Sequence, residues 1–225
     1  MIAYGFSFVL PFLLLAAALL RVTSRAGAVP RSAVAVAAAA LTAVPIAGVP
    51  IARWFVNITG NLSITLAALV AVHVWRRLTG TALLDAGAWR AARWFGAMAG
   101  VALYPMALGV GRLDPYALGW RFSPLHLALW VVTVWLVLRG NRFGLVLAVP
   151  ALAFDLGALE SRNLWDYAVD PVLAFLSMAA VVRELIARVR APGQSPRPTG
   201  EPARPVAATG PTSGFQEPDG ASSGG

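Results

Sequence analysis

Long apolar runs separated by short polar segments make up most of the chain. Apolar runs of nearly twenty residues are typical of helices that cross a bilayer, whose hydrocarbon core is about 30 Å thick. The pattern therefore predicts an all-α, polytopic integral membrane bundle of about seven transmembrane helices. The predicted spans are Ile2–Leu20, Ala33–Ile51, Asn61–Trp75, Trp94–Val110, Ser123–Leu138, Phe143–Leu159 and Pro171–Ile186. The third run is the shortest, so the pattern does not decide whether it crosses fully.

Composition and charge favour the same class. The chain is 58% hydrophobic and 12% charged, and its mean hydropathy is +0.70. The 18 basic residues are all arginine and alanine is abundant, which is typical of a GC-rich bacterial genome. If the N-terminus is outside, 14 of the 18 arginines fall in cytoplasmic segments, in line with the positive-inside rule. The sequence therefore predicts a multi-pass protein of the bacterial inner (plasma) membrane, N-out/C-in.

The composition changes sharply after residue 190. Residues 1–190 form the predicted transmembrane helical domain. From Ala191 onward proline, glycine, serine and threonine dominate, and too few apolar residues remain to offset the entropy lost on ordering. Residues 191–225 are therefore predicted to be a disordered cytoplasmic tail.

Acidic residues are concentrated in one segment near the end of the apolar region. Asp155, Glu160, Asp166 and Asp170 are four of the ten acidic residues and fall within sixteen positions. At helical rise Asp155 is only about 20 Å from Arg142, less than the bilayer core, so its carboxylate is predicted to be sunken. If the helix is displaced along its axis, the same carboxylate simply reaches water. Short helices with sunken polar ends predict an outward-facing polar cavity on the periplasmic side.

Two structural interpretations compete for the polar residues of this segment. Asn163, Asp166, Tyr167 and Asp170 have the i, i+3, i+4, i+7 spacing of one helical stripe. Asp170 and Asp114 each precede a proline, however, and aspartate followed by proline is a typical helix start. For these two residues capping is the preferred interpretation.

The candidate polar site combines the acidic segment with two other polar patches, residues 53–63 and 111–122. Carboxylates, arginines, amides and aromatic rings together suit a polar headgroup, a sugar or a peptide. The candidate residues are Asp155, Glu160, Arg162, Asn163, Asp166, Tyr167, Asn57, Asn61, Arg112 and Asp114.

Several chemistries are excluded by the sequence. With no cysteine there are no disulfides, thiolate metal sites or cysteine nucleophiles. His73 and His126 lie at depths that differ by about 15 Å, too far apart to ligate one haem. The acidic spacing fits no known calcium loop. We therefore predict no metal and no cofactor. Nucleic acid is not an expected partner, because the basic charge follows the predicted cytoplasmic helix ends.

The functional prediction is a non-enzymatic accessory subunit or binding module. Its periplasmic face would engage a lipid headgroup, a glycan or a partner protein, so membrane lipids and a membrane-protein partner are the expected partners. Two alternatives stay open. One is a lipid- or glycan-modifying membrane enzyme using paired carboxylates, with Asp155 beside Glu160 or Asp166. The other is a small ion- or proton-coupled transporter.

Overall fold

The chain is mostly helical. The computed structural model describes residues 5–26, 30–60, 62–110, 114–120 and 123–190. Within these ranges it contains nine α-helices, one short β-hairpin and one 3-10 helix. The helices are α1 Val9–Ala26, α2 Arg31–Ala43, α3 Ile51–Thr59, α4 Ile64–Thr79, α5 Ala86–Ala107, α6 Pro124–Leu138, α7 Phe143–Asp155, α8 Leu164–Ala168 and α9 Pro171–Arg190. The hairpin pairs β1 Pro45–Ile46 with β2 Val49–Pro50, and the 3-10 helix is Pro115–Gly119. The predicted tail, residues 191–225, lies outside the described residues.

The helices correct the predicted class. Among the described residues, no helix combines the length and the apolar character that crossing a membrane requires. Six of the nine helices have 16 residues or fewer, which is about 24 Å or less at helical rise. The three longer ones, α1, α5 and α9, each carry at least two arginines. The predicted polytopic membrane bundle, its N-out/C-in topology and the inner-membrane location are therefore wrong.

The predicted second span shows why apolar runs overstate helix length. The run Ala33–Ile51 is divided, because α2 ends at Ala43 and the hairpin follows directly. The turn of the hairpin places Ala47 at φ +51° and Gly48 at φ +78°, a left-handed conformation that no helix contains. Pro45 and Pro50 face each other in the hairpin, and proline cannot continue a helical hydrogen-bond ladder.

Two clusters of buried apolar side chains form the core. The larger one lies mainly among α4 to α9, with Leu10 of α1, and includes Phe143, Leu147 and Leu164, all with no measurable exposure. The smaller one joins α1, α2 and α4 through side chains such as Leu20 and Val34. Helix α4 contributes to both clusters and so connects the two halves of the core.

Helices α5 and α9 approach closely at two glycines. A Cβ placed on Gly96 would lie 2.3 Å from the Ser177 hydroxyl oxygen, and one on Gly100 would lie 2.6 Å from the Ala174 Cβ. Only glycine at these two positions lets the backbones come this near. The contact helps to fix α9, whose first residue follows the acidic segment directly.

Three connecting segments meet above this core. The α3–α4 connection contacts the start of α9 through Ser63 and Asp170. The 3-10 helix contacts the acidic segment through Tyr116 and Asp166, and Trp120 forms an isolated β-bridge with Asn163. The fold therefore brings the polar patches that are separate in the sequence to one place.

Candidate functional site: a polar cavity beside the acidic segment

Asn163 anchors the acidic segment to the 3-10 helix. Its side-chain oxygen accepts a hydrogen bond from the Trp165 N–H at 3.0 Å and so caps α8. Its side-chain nitrogen donates to the Tyr116 carbonyl at 2.9 Å, and the Trp165 indole nitrogen donates to the Pro115 carbonyl at 2.7 Å. Asn163 is completely buried. Because both ends of its amide are used, it acts as a structural link.

Asp166 is held by two hydroxyl groups. The Tyr116 hydroxyl lies 3.0 Å and 3.2 Å from its two carboxylate oxygens, and the Ser161 hydroxyl donates to one of them. The Ser161 oxygen in turn accepts from the Asn163 backbone N–H at 3.0 Å. The carboxylate thus ties residues 161–166 to the 3-10 helix.

The same contact changes the titration of Tyr116. Burial, followed by the negative charge of Asp166 and the hydrogen bond to it, raises the pKa of Tyr116 to about 12. A pKa that is higher in the folded chain means that the neutral phenol stabilises the fold. This contribution is complete below the ordinary tyrosine pKa of 10.0 and is lost as pH rises towards 12.

We therefore expect the free energy of unfolding to fall between about pH 10 and pH 12, because the phenolate and the Asp166 carboxylate repel each other. Thermal unfolding followed by circular dichroism across this range measures the effect. Tyr116→Phe is the control, and its stability should fall less steeply over the same interval. Equal slopes for the two proteins would contradict the assignment.

Tyr167 forms the buried floor beside the acidic segment. Its hydroxyl oxygen accepts from the Leu159 N–H at 3.0 Å and lies 3.1 Å and 3.2 Å from the carbonyls of Ser161 and Leu159, one of which it donates to. Its ring meets Phe154 edge-on, with 5.3 Å between ring centroids. Burial raises the pKa of Tyr167 above its ordinary value. These bonds close residues 159–167 into a compact loop.

Asp170 joins two helix starts. One carboxylate oxygen accepts from the Leu173 N–H at 2.8 Å and caps α9, as the sequence predicts. The other accepts from the Ser63 N–H at 3.0 Å and from the Ser63 hydroxyl. The Ser63 oxygen also accepts from the Leu66 N–H at 3.2 Å and caps α4. Asp170 is buried, and all of these contacts are architectural.

Asp155 occupies the exposed end of α7. Its side chain is 56% exposed and lies 4.0 Å from the His126 Nε2. That nitrogen accepts a hydrogen bond from the Trp130 indole N–H at 3.0 Å. The sunken carboxylate expected from helix rise is not found, because α7 ends at Asp155.

An open cavity of about 720 Å³ lies beside the acidic segment. Trp120, Glu160 and Arg162 are exposed at its edge, the half-buried Phe154 contributes aromatic surface, and the buried Tyr167 ring supports Phe154. Glu160 lies 3.9 Å from Arg53, a distance that holds both side chains only loosely. We call this the Trp120 cavity.

The structure separates the predicted site residues into distinct roles. Glu160, Arg162 and Tyr167 border the Trp120 cavity, whereas Asn163 and Asp166 hold the surrounding segments together. Asp114 caps the 3-10 helix through the Tyr116 and Ala117 N–H groups. Asn57 is exposed on α3, and Asn61 and Arg112 lie outside the described residues.

Sequence reasoning left four important residues out of the candidate site. They are Ser63, Tyr116, Trp120 and Ser161. Tyr116 and Trp120 lie within the third polar patch, and this position is a usable signal. Ser63 likewise ends the patch of residues 53–63, but the residue type of the two serines gives no signal, because a serine before a helix or in a loop is usually only a local cap.

Within the described residues, histidines and acidic residues do not form a group of three or more that could hold a metal ion. No protein-family model matches the chain, and no curated protein and no solved structure resembles it closely enough to count as a match. The geometry of the chain itself is therefore the basis for its function.

Proposed function

We propose that the chain is a non-enzymatic binding module that takes a neutral glycan in the Trp120 cavity. The observation that carries this proposal is the combination at the cavity edge. Trp120 is a large aromatic side chain that is 51% exposed, and Glu160 and Arg162 border the same cavity. A volume of about 720 Å³ is within the range of small-molecule sites.

A sugar needs two kinds of contact, and the cavity offers both. The apolar face of a sugar ring stacks on an indole, which combines a large apolar surface with a polar edge. The sugar hydroxyls need donors and acceptors, which a guanidinium and a carboxylate supply. Glu160 and Arg162 carry charges of opposite sign at the rim, so the cavity favours a neutral ligand over a charged one.

The engagement of the acidic residues favours binding over catalysis. An acid–base pair needs carboxylates that can exchange protons with a substrate. Asp166 is held by Tyr116 and Ser161, and Asp155 faces His126 at the end of α7. Glu160 lies beside Arg53. Because each acid has a different partner, the predicted paired-carboxylate enzyme has less support than the binding module.

Trp120→Ala tests the proposal. A panel of maltotriose, cellotriose and chitotriose is titrated into the full chain by isothermal titration calorimetry, and the best trisaccharide is used for the variants. We expect Trp120→Ala to weaken its binding at least about tenfold, since the stacking surface is lost.

Trp75→Ala is the matched control, because Trp75 is 48% exposed and lies at the end of α4 outside the cavity. It should change the dissociation constant by less than about twofold. Failure of all three trisaccharides to bind, or equal weakening by the two variants, would overturn the proposal.

A further inference from the structure

A second cavity lies where the end of α1, the start of α2 and the end of α4 meet. Its volume is about 610 Å³. Three arginines, one histidine and two hydroxyl side chains dominate its lining, and we call it the arginine pocket. These residues are Arg31, Arg76, Arg77, His73, Thr23 and Ser24. None of them belongs to the Trp120 cavity.

Among the described residues, no acidic side chain balances the charge of the arginine pocket. In the described part of the chain, no carboxylate lines it, and Arg31, Arg76 and Arg77 form no ion pair. Elsewhere the chain does neutralise clustered arginines. Arg90 and Arg93 lie 3.5 Å and 3.6 Å from Glu184, which Arg188 also contacts. The missing counter-charge therefore distinguishes the arginine pocket from the other arginine cluster.

Local hydrogen bonds hold the walls of the pocket in position. Arg31 reaches from the first turn of α2 and donates to the Leu78 carbonyl at 3.0 Å. Gly80 ends α4 at φ +80°, and its N–H donates to the Arg76 carbonyl at 2.9 Å. The carbonyls of Arg76 and Leu78 near the end of α4 thus have partners other than the Arg76 and Arg77 side chains, which are exposed.

The helix dipole accounts for only part of this arrangement. Basic residues near a helix C-terminus gain about 0.3–1 kcal/mol each, which explains Arg76 and Arg77 at the end of α4. The dipole of α2 disfavours Arg31 at the start of that helix, whereas the carbonyl end of α4, which the Arg31 guanidinium contacts, favours it, so no single helix dipole explains why three arginines meet here. The positive charge of the arginines also affects the neighbouring histidine. Burial and then the positive charges of Arg77 and Arg76 lower the pKa of His73 below 6.5.

We propose that the arginine pocket binds the phosphate or diphosphate group of a small soluble molecule. Guanidinium groups present paired N–H donors that match phosphate oxygens and stay charged at every physiological pH. The Thr23 and Ser24 hydroxyls already donate to the carbonyls of Leu19 and Arg21. The arginines are therefore the main donors, and the cavity volume leaves space for the organic part of the ligand.

Isothermal titration of the full chain with pyrophosphate tests the assignment. Arg76→Gln removes one pocket charge, and Arg139→Gln removes one exposed charge at the end of α6, outside the pocket. We expect Arg76→Gln to weaken pyrophosphate binding at least about tenfold and Arg139→Gln to change it less than about twofold. Circular dichroism verifies the fold of each variant, and Arg77→Gln replaces Arg76→Gln if the latter does not fold.

Two titration results would overturn this assignment. A phospholipid headgroup is a competing source of phosphate and is tested in a separate experiment. If the wild-type chain does not bind pyrophosphate, the pocket is not a phosphate site. If both variants weaken binding equally, the net charge of +8 and not the pocket attracts the anion. Vesicles of phosphatidylglycerol and phosphatidylcholine provide the second arm. Selective sedimentation with phosphatidylglycerol that pyrophosphate does not displace would assign the phosphate to a lipid and contradict the proposal.

Discussion

Replacing Gly119 by alanine is expected to lower the free energy of unfolding by about 3–5 kcal/mol. The new Cβ would lie 1.7 Å from the Asn163 side-chain oxygen and 2.8 Å from the Trp165 ring. Because Asn163 is completely buried, it has no free space into which it can move. Its displacement breaks the hydrogen bonds to the Trp165 N–H and the Tyr116 carbonyl and leaves buried polar groups without partners.

Thermal unfolding followed by circular dichroism measures this loss, which corresponds to a midpoint about 10 °C lower in a chain of this size. Gly87→Ala is the matched control. A Cβ at Gly87, in the first turn of α5, meets only the Asp85 carboxylate, with its nearest atoms at 3.7 Å. Alanine there should leave stability unchanged or slightly raised, since alanine is the better helix former. A midpoint for Gly119→Ala within about 2 °C of wild type would refute the buried Asn163 link.

Asp170→Asn is expected to cost about 2–4 kcal/mol. The asparagine oxygen can still cap α9 through the Leu173 N–H, but its NH₂ group then faces the Ser63 N–H. Because the side-chain NH₂ and the Ser63 N–H are both donors and the place is buried, neither has an acceptor. Chemical denaturation of the wild type and the variant gives the difference directly, because the slope and the midpoint are measured together.

Asp85→Asn separates this effect from simple capping. Asp85 caps α5 by accepting from the Ala88 N–H at 2.7 Å. Among the described residues, its side chain makes no hydrogen bond to a second helix. Asparagine is as good an N-cap as aspartate, so this control should lose less than about 0.5 kcal/mol. Equal losses for the two variants would show that Asp170 is only a cap and does not join α9 to Ser63.

The local part of the fold could be predicted from the sequence. Each predicted apolar run overlaps a helix, and aspartate before proline marks helix starts at Asp170 and Asp114. Such features depend on neighbours within one helical turn. Whether the apolar runs cross a membrane could not be decided from the sequence, because a residue has the same hydropathy whether its side chain is buried or exposed. Phe143 is completely buried, whereas Phe175 is 74% exposed.

The partners of the acidic residues could not be predicted, because they are distant in the chain. Asp166 accepts a hydrogen bond from the Tyr116 hydroxyl, 50 positions away in the chain. Asp170 accepts one from the Ser63 N–H, 107 positions away. The prediction that Asn163, Asp166, Tyr167 and Asp170 form one helical stripe is also wrong. Helix α8 has only five residues, with Asn163 before it and Asp170 beyond its end. Tertiary packing thus decides which of the polar residues are structural and which border the cavity.

The arginine pocket is a similar case. Its charges come from the start of α2 and the end of α4, and Arg31 is 47 positions from the carbonyl that it contacts. The sequence pattern assigns all of these arginines to helix ends. Only the packing of α1, α2 and α4 brings the three guanidinium groups to one cavity.

A crystal structure of the chain with its best-binding trisaccharide is the most direct measurement of the proposed function. We expect one sugar ring to stack on the Trp120 indole, with its hydroxyls in hydrogen-bond distance of Glu160 or Arg162. The bonds from Tyr116 and Ser161 to Asp166 should be unchanged, because that carboxylate is structural. A trisaccharide bound away from Trp120, or one that reaches the Asp166 carboxylate in place of Tyr116, would contradict a glycan-binding Trp120 cavity.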